Sequence, residues 1–122
     1  MKRAAFERLV REALDQLPAE FRARLENIQI LIKDRPAPEE LASMGLGPEE
    51  TLLGLYQGIP LTERGLDYNL VTPDQIILYL EPIEEVCESE EEIRREVRAT
   101  VIHEIGHFFG IDDERLEELE AE

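Results

Sequence analysis

The chain of 122 residues contains, close to its end, the segment His103-Glu104-Ile105-Gly106-His107-Phe108-Phe109-Gly110-Ile111-Asp112-Asp113, which holds both of its histidines. The first five residues follow the pattern HExxH. On a helix, residues four apart lie one turn above each other on the same face. Two imidazoles at this spacing can bind one metal ion, with the intervening glutamate close to it. The segment therefore predicts a helix that carries a metal site, with zinc as the expected ion.

The residues before this segment predict the helix that the pattern needs. Ser89-Glu90-Glu91-Glu92 has the form of a capping box, with a serine at the cap and a glutamate three residues later. We expect a helix over 90–109 that ends at Gly110 in a left-handed conformation. One broad face of this helix is apolar and consists of Ile93, Val97, Val101, Ile105 and Phe108.

Glu104 projects inside that apolar face, whereas His103 and His107 lie along its edge, beside Glu96 and Thr100. A carboxylate on an apolar surface is costly when it is buried without a partner. A metal-bound water beside Glu104 would explain the placement. Glu96 and Thr100 are candidates to orient the imidazoles through their far nitrogens. The alternative is a pair of exposed histidines on a surface helix, with Glu104 a solvated helix former.

The third metal ligand is expected after the helix, because catalytic zinc sites usually take three protein ligands and keep one position for water. If Gly110 turns the chain sharply, Asp113 can fold back toward the two histidines. Glu117 or Glu118, from a last helix predicted over 114–120, is the alternative ligand. Asp113 or the aspartate before it can also cap that last helix.

A site of this kind activates water for attack on a carbonyl, most often that of a peptide bond. Bound zinc lowers the pKa of a water ligand toward about 7 and polarises the carbonyl. Glu104 would act as the general base and pass the proton to the leaving amine. Two imidazoles and a carboxylate also suit iron or manganese, but the helical HExxH spacing and Glu104 favour zinc.

The extended zincin motif, with an aspartate in place of the third histidine, is matched by His103, Glu104, His107, Gly110 and Asp113. The chain as a whole resembles a small bacterial family of minimal zincin-like metallopeptidases. Besides the motif, the resemblance includes residues 27–36, 53–64 and 76–82. It implies a cut-down zincin fold, one zinc ion and peptidase activity without an assigned substrate.

The chain departs from the larger peptidases with this extended motif. Those carry a methionine turn beneath the metal after the third ligand, whereas here nine residues follow Asp113 and the two methionines are Met1 and Met44. We therefore expect the lower subdomain of their substrate cleft to be missing. This favours an alternative function, a zinc-binding interaction or regulatory module with weak or no catalysis. The intact Glu104 counts against that alternative.

A second alternative is a metal-dependent ribonuclease, because enzymes that mature ribosomal RNA use three histidines in a related helix-and-turn arrangement. The net charge of −16 counts against it, since phosphate contacts need clustered lysines and arginines. The same charge would steer basic substrates toward the protein. We expect a peptide or protein substrate and no nucleic-acid partner.

Length and composition predict one domain over 1–122, large enough for a core of its own. No apolar run is long enough to span a membrane, and no apolar signal region begins the chain. We therefore expect a cytoplasmic protein with no membrane partner. The single cysteine, Cys87, cannot form an internal disulfide and is expected to be a bystander.

The remaining elements predict an α+β fold in which a small sheet of about three strands packs on an N-terminal helix and on the C-terminal helix of the metal site. An amphipathic helix is predicted over 3–17, ended by Pro18. Strands are predicted over 27–33, 52–57 and 76–80, the last stopped by Pro82, and 35–47 is predicted to be loop or a short helical turn.

The long irregular segment over 59–74 is the expected substrate or lid element, because loops of this length in compact domains are often functional. Its residues Tyr68 or Arg64 could reach the site and stabilise an oxyanion. The alternative is a surface loop in which Arg64 forms a structural ion pair.

Overall fold

The structure, a computed structural model, describes residues 1–58 and 74–110 together with Glu114 and Glu118, and at 107–109 it describes the backbone alone. Its elements run in the order α1 (Arg3–Asp15), α2 (Ala19–Leu25), β1 (Ile28–Lys33), α3 (Pro38–Ser43), β2 (Gly54–Gln57), β3 (Asp74–Tyr79), α4 (Leu80–Glu85) and α5 (Glu90–Phe109). The predicted α+β class is confirmed, with a helix before the sheet and the motif helix after it.

The three strands form one mixed sheet in the order β1-β3-β2. Strand β1 pairs in parallel with β3, with Ile28 opposite Asp74. Strand β2 pairs antiparallel with β3, with Gly54 opposite Leu78. Strand β3 is central, and its residues from Ile76 to Tyr79 are buried on both faces of the sheet, which accounts for its continuous apolar run. In the described sheet, β2 is an edge strand.

The core lies between one face of this sheet and the helices α1 and α5. Side chains that α1, β3 and α5 bury completely there include Phe6, Leu9, Ala13, Ile76, Leu78, Val97, Val101 and Ile105. In α1 and α5 these residues are three or four positions apart, as on one face of a helix, and in β3 they are every second residue, as on one face of a strand. The opposite face of the sheet buries Leu55, Ile77 and Tyr79. Helix α1 packs against α5, so the motif helix is fixed both by the sheet and by the first helix.

Helix α5 forms as the sequence predicts. The Ser89 hydroxyl accepts a hydrogen bond from the Glu92 amide at 3.1 Å, and the Glu92 carboxylate accepts one from the amide of Glu88. At the other end, Gly110 has a φ of +71°, the left-handed conformation that ends many helices. The predicted apolar face is buried at Ile93, Val97, Val101 and Ile105, while the side chain of Phe108 lies outside the described atoms.

Two proline predictions are wrong for one physical reason. Helix α1 ends at Asp15, and Pro18 caps a further helix, α2, that the sequence analysis did not predict. Pro82 does not stop the third strand, because β3 already ends at Tyr79 and Pro82 occupies the third position of α4. The first turn of a helix has amides without acceptors inside the helix, so a proline there loses no hydrogen bond.

The other boundaries differ less. Strand β1 begins at 28 rather than 27, β2 begins at 54 rather than 52, and the short helical turn predicted within 35–47 is α3. Of the lid predicted over 59–74, residues 59–73 lie outside the described part of the chain, and Asp74 is the first residue of β3, which begins at 74 rather than 76. None of the described helices is long and apolar enough to cross a lipid bilayer.

Helix α5 approaches strand β2 closely at Gly54. A Cβ atom at this position would lie 2.6 Å from Cγ2 of Thr100 and 3.1 Å from the carbonyl oxygen of Ile77. Both distances are too short for a side chain to fit without movement. Gly54 faces the same side of the sheet as its partner Leu78, the side on which α5 packs. The absence of a side chain at Gly54 therefore sets how near the motif helix can lie to the edge strand.

We expect Gly54→Ala to lower the free energy of unfolding by about 1–3 kcal/mol, because overpacking forces helix and strand apart. Urea unfolding followed by circular dichroism measures the loss. Adding Thr100→Ser removes the nearest methyl group and should recover part of it. Gly47→Ala is the matched control, since its Cβ would lie 3.9 Å from the nearest atom, an ordinary contact. Equal stability of the Gly54→Ala and Gly47→Ala proteins would contradict the close approach.

Candidate functional site

The motif residues lie in the last two turns of α5. The backbone is helical from His103 through His107, so the two histidines stand one turn apart, as predicted. The side chain of His103 is exposed and that of Glu104 is half-buried. The position of Glu104 inside the apolar face is confirmed, since it lies between the buried residues Val101 and Ile105 in sequence and one turn from Thr100, which is also buried.

The Glu104 carboxylate is held by the sheet. The amide of Tyr56 donates a hydrogen bond to Oε1 of Glu104 at 2.9 Å. The amide of Tyr79 donates to the carbonyl of Leu53 at 3.0 Å. Hydrogen-bonded and non-hydrogen-bonded pairs alternate along an antiparallel ladder. Leu55, two residues after Leu53, is therefore hydrogen-bonded to β3 again, whereas the amide of Tyr56 points away from β3. The edge strand thus presents a fixed backbone donor to the carboxylate.

Tyr56 is a site residue that the sequence analysis missed. A metal-bound water would explain the placement of Glu104, and the structure supplies a protein donor for its carboxylate as well. Because the donor is a backbone amide, no side-chain type at this position signals it. The Tyr56 hydroxyl in turn donates to Oδ2 of Asp74 at 2.7 Å, which ties β2 to the first residue of β3.

A groove of about 370 Å³ runs beside these groups, between α5 and the chain that leads into β2. This volume lies within the range of pockets that take small ligands. Its wall consists of Thr51, Leu52, Leu53, Gly54, Glu96, Ala99, Thr100, His103 and Glu104. The groove therefore gives a ligand access to both His103 and Glu104. Glu96 and Thr100, predicted to lie beside the histidines, are both on this wall.

A second acidic group, which is buried, lies apart from the groove. Glu40 is 8% exposed and accepts hydrogen bonds from the Ala37 amide at 2.8 Å, the Tyr79 hydroxyl at 2.8 Å and Lys33 Nζ at 3.2 Å. Burial alone would raise the pKa of Glu40, but these donors together lower it. The pKa of Tyr79 is raised, by burial first, then by Glu40 and more weakly by Glu104. With three donors, Glu40 serves to join α3 to the sheet.

A family model described as zincin-like metallopeptidase matches residues 25–122, which include the whole motif and all three strands. The chain belongs to the zincin-like metallopeptidase family. The resemblance drawn from the sequence is therefore confirmed. Membership supports a zinc-dependent hydrolase of the peptidase kind.

A solved structure supports the fold. A conserved hypothetical protein from Thermus thermophilus is similar to this chain with a TM-score of 0.57 at 25% sequence identity. The similarity covers 89% of this chain and 94% of that one. Since that protein is described only as hypothetical, its likeness bears on architecture. A search among curated proteins finds no match.

Three features of the described part of the zincin-like chain suit a metal ion bound by the motif. The exposed imidazole of His103, the unbroken helix through His107 and the left-handed Gly110 are what a two-histidine site with a following turn needs. Among the described residues no group of three possible ligands comes together. The side chain of His107 and the predicted third ligand Asp113 lie outside those residues.

The same holds for other predicted site residues. Glu117, one alternative ligand, lies outside the described part, as do Arg64 and Tyr68, the predicted oxyanion groups. Glu118, the other alternative, is helical and exposed, and so is Glu114, while the other residues of the last helix predicted over 114–120 lie outside the described part.

The hydrogen bond between Tyr56 and Glu104 predicts a difference between two substitutions in metal-free protein. Glu104→Ala removes the acceptor and should lower the free energy of unfolding by about 1–3 kcal/mol, the usual cost when a partly buried donor loses its partner. Glu104→Gln keeps an oxygen for the amide and should stay close to the wild type. Urea unfolding and hydrogen exchange of the Tyr56 amide measure both effects.

Glu91→Ala is the matched control, because it removes an exposed carboxylate from the same helix. This carboxylate forms an ion pair with Arg94, at 3.5 Å. Exposed pairs of this kind contribute little to stability. If Glu104→Ala matched Glu104→Gln in stability and in exchange at Tyr56, the hydrogen bond would not hold the carboxylate in solution.

Proposed function

We propose that the protein is a zinc-dependent metallopeptidase in which Glu104 is the general base and His103, His107 and Asp113 hold one zinc ion. The observation that carries the proposal is the Glu104 carboxylate, fixed by the Tyr56 amide at the side of a groove that His103 also lines. Family membership supports the same class of reaction. The substrate is a peptide or protein chain.

Each residue has a part in this chemistry. Zinc, when bound, polarises the scissile carbonyl and makes water more acidic. Glu104 accepts a proton from the attacking water and delivers it to the leaving nitrogen. The Tyr56 amide keeps the carboxylate in one orientation during both proton transfers, because a strand backbone paired to its neighbour moves little. The helix holds the two imidazoles one turn apart without help from the substrate.

The groove is the substrate seat in this proposal. Its wall combines apolar side chains, such as Leu52 and Leu53, with the motif residues at one end. A bound chain that fills it would displace water from the neighbourhood of Glu104. Electrostatic interactions grow stronger when water is excluded, so proton transfer to and from the carboxylate gains from a filled groove.

We expect wild-type protein to bind one equivalent of zinc per chain. His103→Ala and His107→Ala should each abolish stoichiometric binding, and Asp113→Ala should weaken it, since each removes one of three ligands. Elemental analysis of dialysed protein and competition with a chromogenic chelator measure the change. Glu118→Ala is the control for the alternative third ligand. A full equivalent of zinc in both histidine variants would contradict the ligand assignment.

We expect Glu104→Gln to separate catalysis from metal binding. The amide keeps the size of the side chain and the hydrogen bond to Tyr56 but cannot take a proton. Hydrolysis of a peptide found by library screening should fall by about 10²–10⁴, the usual contribution of a general base. Zinc content should be unchanged.

Glu91→Gln, an exposed position on the same helix, should retain full activity. Full activity of Glu104→Gln would contradict the assigned base. Stoichiometric zinc with no hydrolysis of any library peptide by the wild type would instead indicate a metal-binding module.

A further inference from the structure

We infer that Glu96 selects substrates with a lysine or arginine side chain near the scissile bond. The inference rests on the proposed peptidase function, because it assigns the groove beside Glu104 to the substrate. Beyond that function, the side chain that the groove accepts is assigned to the basic class.

The position of Glu96 on α5 is the first support. Glu96, Thr100, His103 and Glu104 are separated by four, three and one residues, so they form one stripe along the helix. All four line the groove. Glu96 therefore faces the same space as the proposed base, about two turns toward the start of the helix.

The charge of Glu96 is the second support. Its side chain is half-buried, and in the part of the chain that the structure describes it makes neither a hydrogen bond nor an ion pair. Other acidic groups near the start of α5 are compensated: Glu90 pairs with Arg8 at 3.2 Å, and Glu91 pairs with Arg94 at 3.5 Å. The negative charge of Glu96 is thus left to face the groove.

A neighbouring thiol responds to that charge. The pKa of Cys87 is raised, by burial first and then by Glu96 and Glu92. The same charge that disfavours a thiolate favours an ammonium or guanidinium group. A cation that enters the groove would gain from Glu96 without displacing a partner of it.

The remaining wall of the groove suits the stem of a basic side chain. Leu52, Leu53 and Ala99 line it between the ends. Lysine and arginine place their methylene groups along apolar surface while the charged head reaches a polar partner. An apolar wall that leads to one carboxylate has this form, whereas an acidic substrate side chain would meet like charge from both Glu96 and Glu104.

Helix geometry sets the position of the basic residue in the substrate. Glu96 and Glu104 are eight residues apart, which corresponds to about 12 Å along the helix axis. A lysine side chain spans about half of that distance. An extended peptide advances about 3.3 Å per residue. The basic residue should therefore lie within about two positions of the bond that is cut.

The net charge of −16 offers a different source for a basic preference. A field from the whole protein attracts basic peptides wherever their charge lies. Glu96, by contrast, acts at one position of the substrate. The experiment therefore varies position at constant composition.

The test uses a set of peptides of identical composition in which one lysine moves through each position around the cleaved bond. Both kcat/KM of the zinc-loaded wild type and the Kd of zinc-loaded Glu104→Gln protein, which binds without cutting, are measured. We expect one position to be favoured by about fivefold, the scale of a partly exposed ion pair.

Variants of Glu96 decide whether this preference comes from its carboxylate. In Glu96→Gln the ratio between positions should fall to about one, and in Glu96→Lys a glutamate peptide should become favoured at the same position. Glu26→Gln is the matched control, because Glu26 is exposed and outside the groove, and its loss changes the net charge equally. It should retain the wild-type ratio. Thermal unfolding of each variant checks that the fold persists.

The outcomes separate this inference from the proposed function. If the peptides were hydrolysed equally well wherever the lysine lies, and Glu96→Gln did not change this, the inference would be overturned and the peptidase proposal would stand. Absence of hydrolysis together with position-specific binding that Glu96→Gln abolishes would overturn the peptidase proposal and support the groove assignment. Loss of the preference in Glu26→Gln to the same degree would assign it to the overall charge and overturn the role of Glu96.

Discussion

The hydrogen bond from the Tyr56 amide to the Glu104 carboxylate joins the sheet to the helix that carries the motif. It requires an edge strand whose amide points outward and a helix close enough to receive it. Gly54 permits that approach, since a side chain there would collide with Thr100. A carboxylate can then lie half-buried on an apolar helix face without the cost of an unpaired charge. The groove beside the motif is lined by residues from both sides of this contact, among them Gly54, Thr100 and Glu104.

The sequence allowed α5 to be predicted from end to end, because each of its signals is local. A serine cap, an apolar face of helical period and a glycine at the end all act within a few residues. The partner of Glu104 could not be predicted in this way, since Tyr56 is 48 residues distant and contributes only its backbone. Helices α2 and α4 are not predicted, because Pro18 and Pro82 indicate the end of an element as readily as the start of a helix. The side chains of His107 and Asp113 lie outside the described atoms, so their part in the site stays a prediction.

Charges are divided between the two sides of α5. On the side that meets α1, Arg94 donates to Glu12, Arg98 donates to Gln16, and Glu90 accepts from Arg8. Contacts of this exposed kind contribute little to stability. They do direct Arg94 and Arg98 toward α1, and neither of these arginines lines the groove. Glu96 is thus left as a negatively charged side chain on the wall of the groove.

The dipole of α5 reinforces the same division. Glu90, Glu91 and Glu92 occupy its first turn, where the positive end of the helix stabilises negative charge. Glu96 lies beyond that turn, where the stabilisation from the helix dipole has fallen off. His107 lies in the last turn of α5, where carbonyl groups without partners inside the helix favour a positive charge. The backbone of α5 therefore presents partial negative charge at the end of the helix that carries the motif.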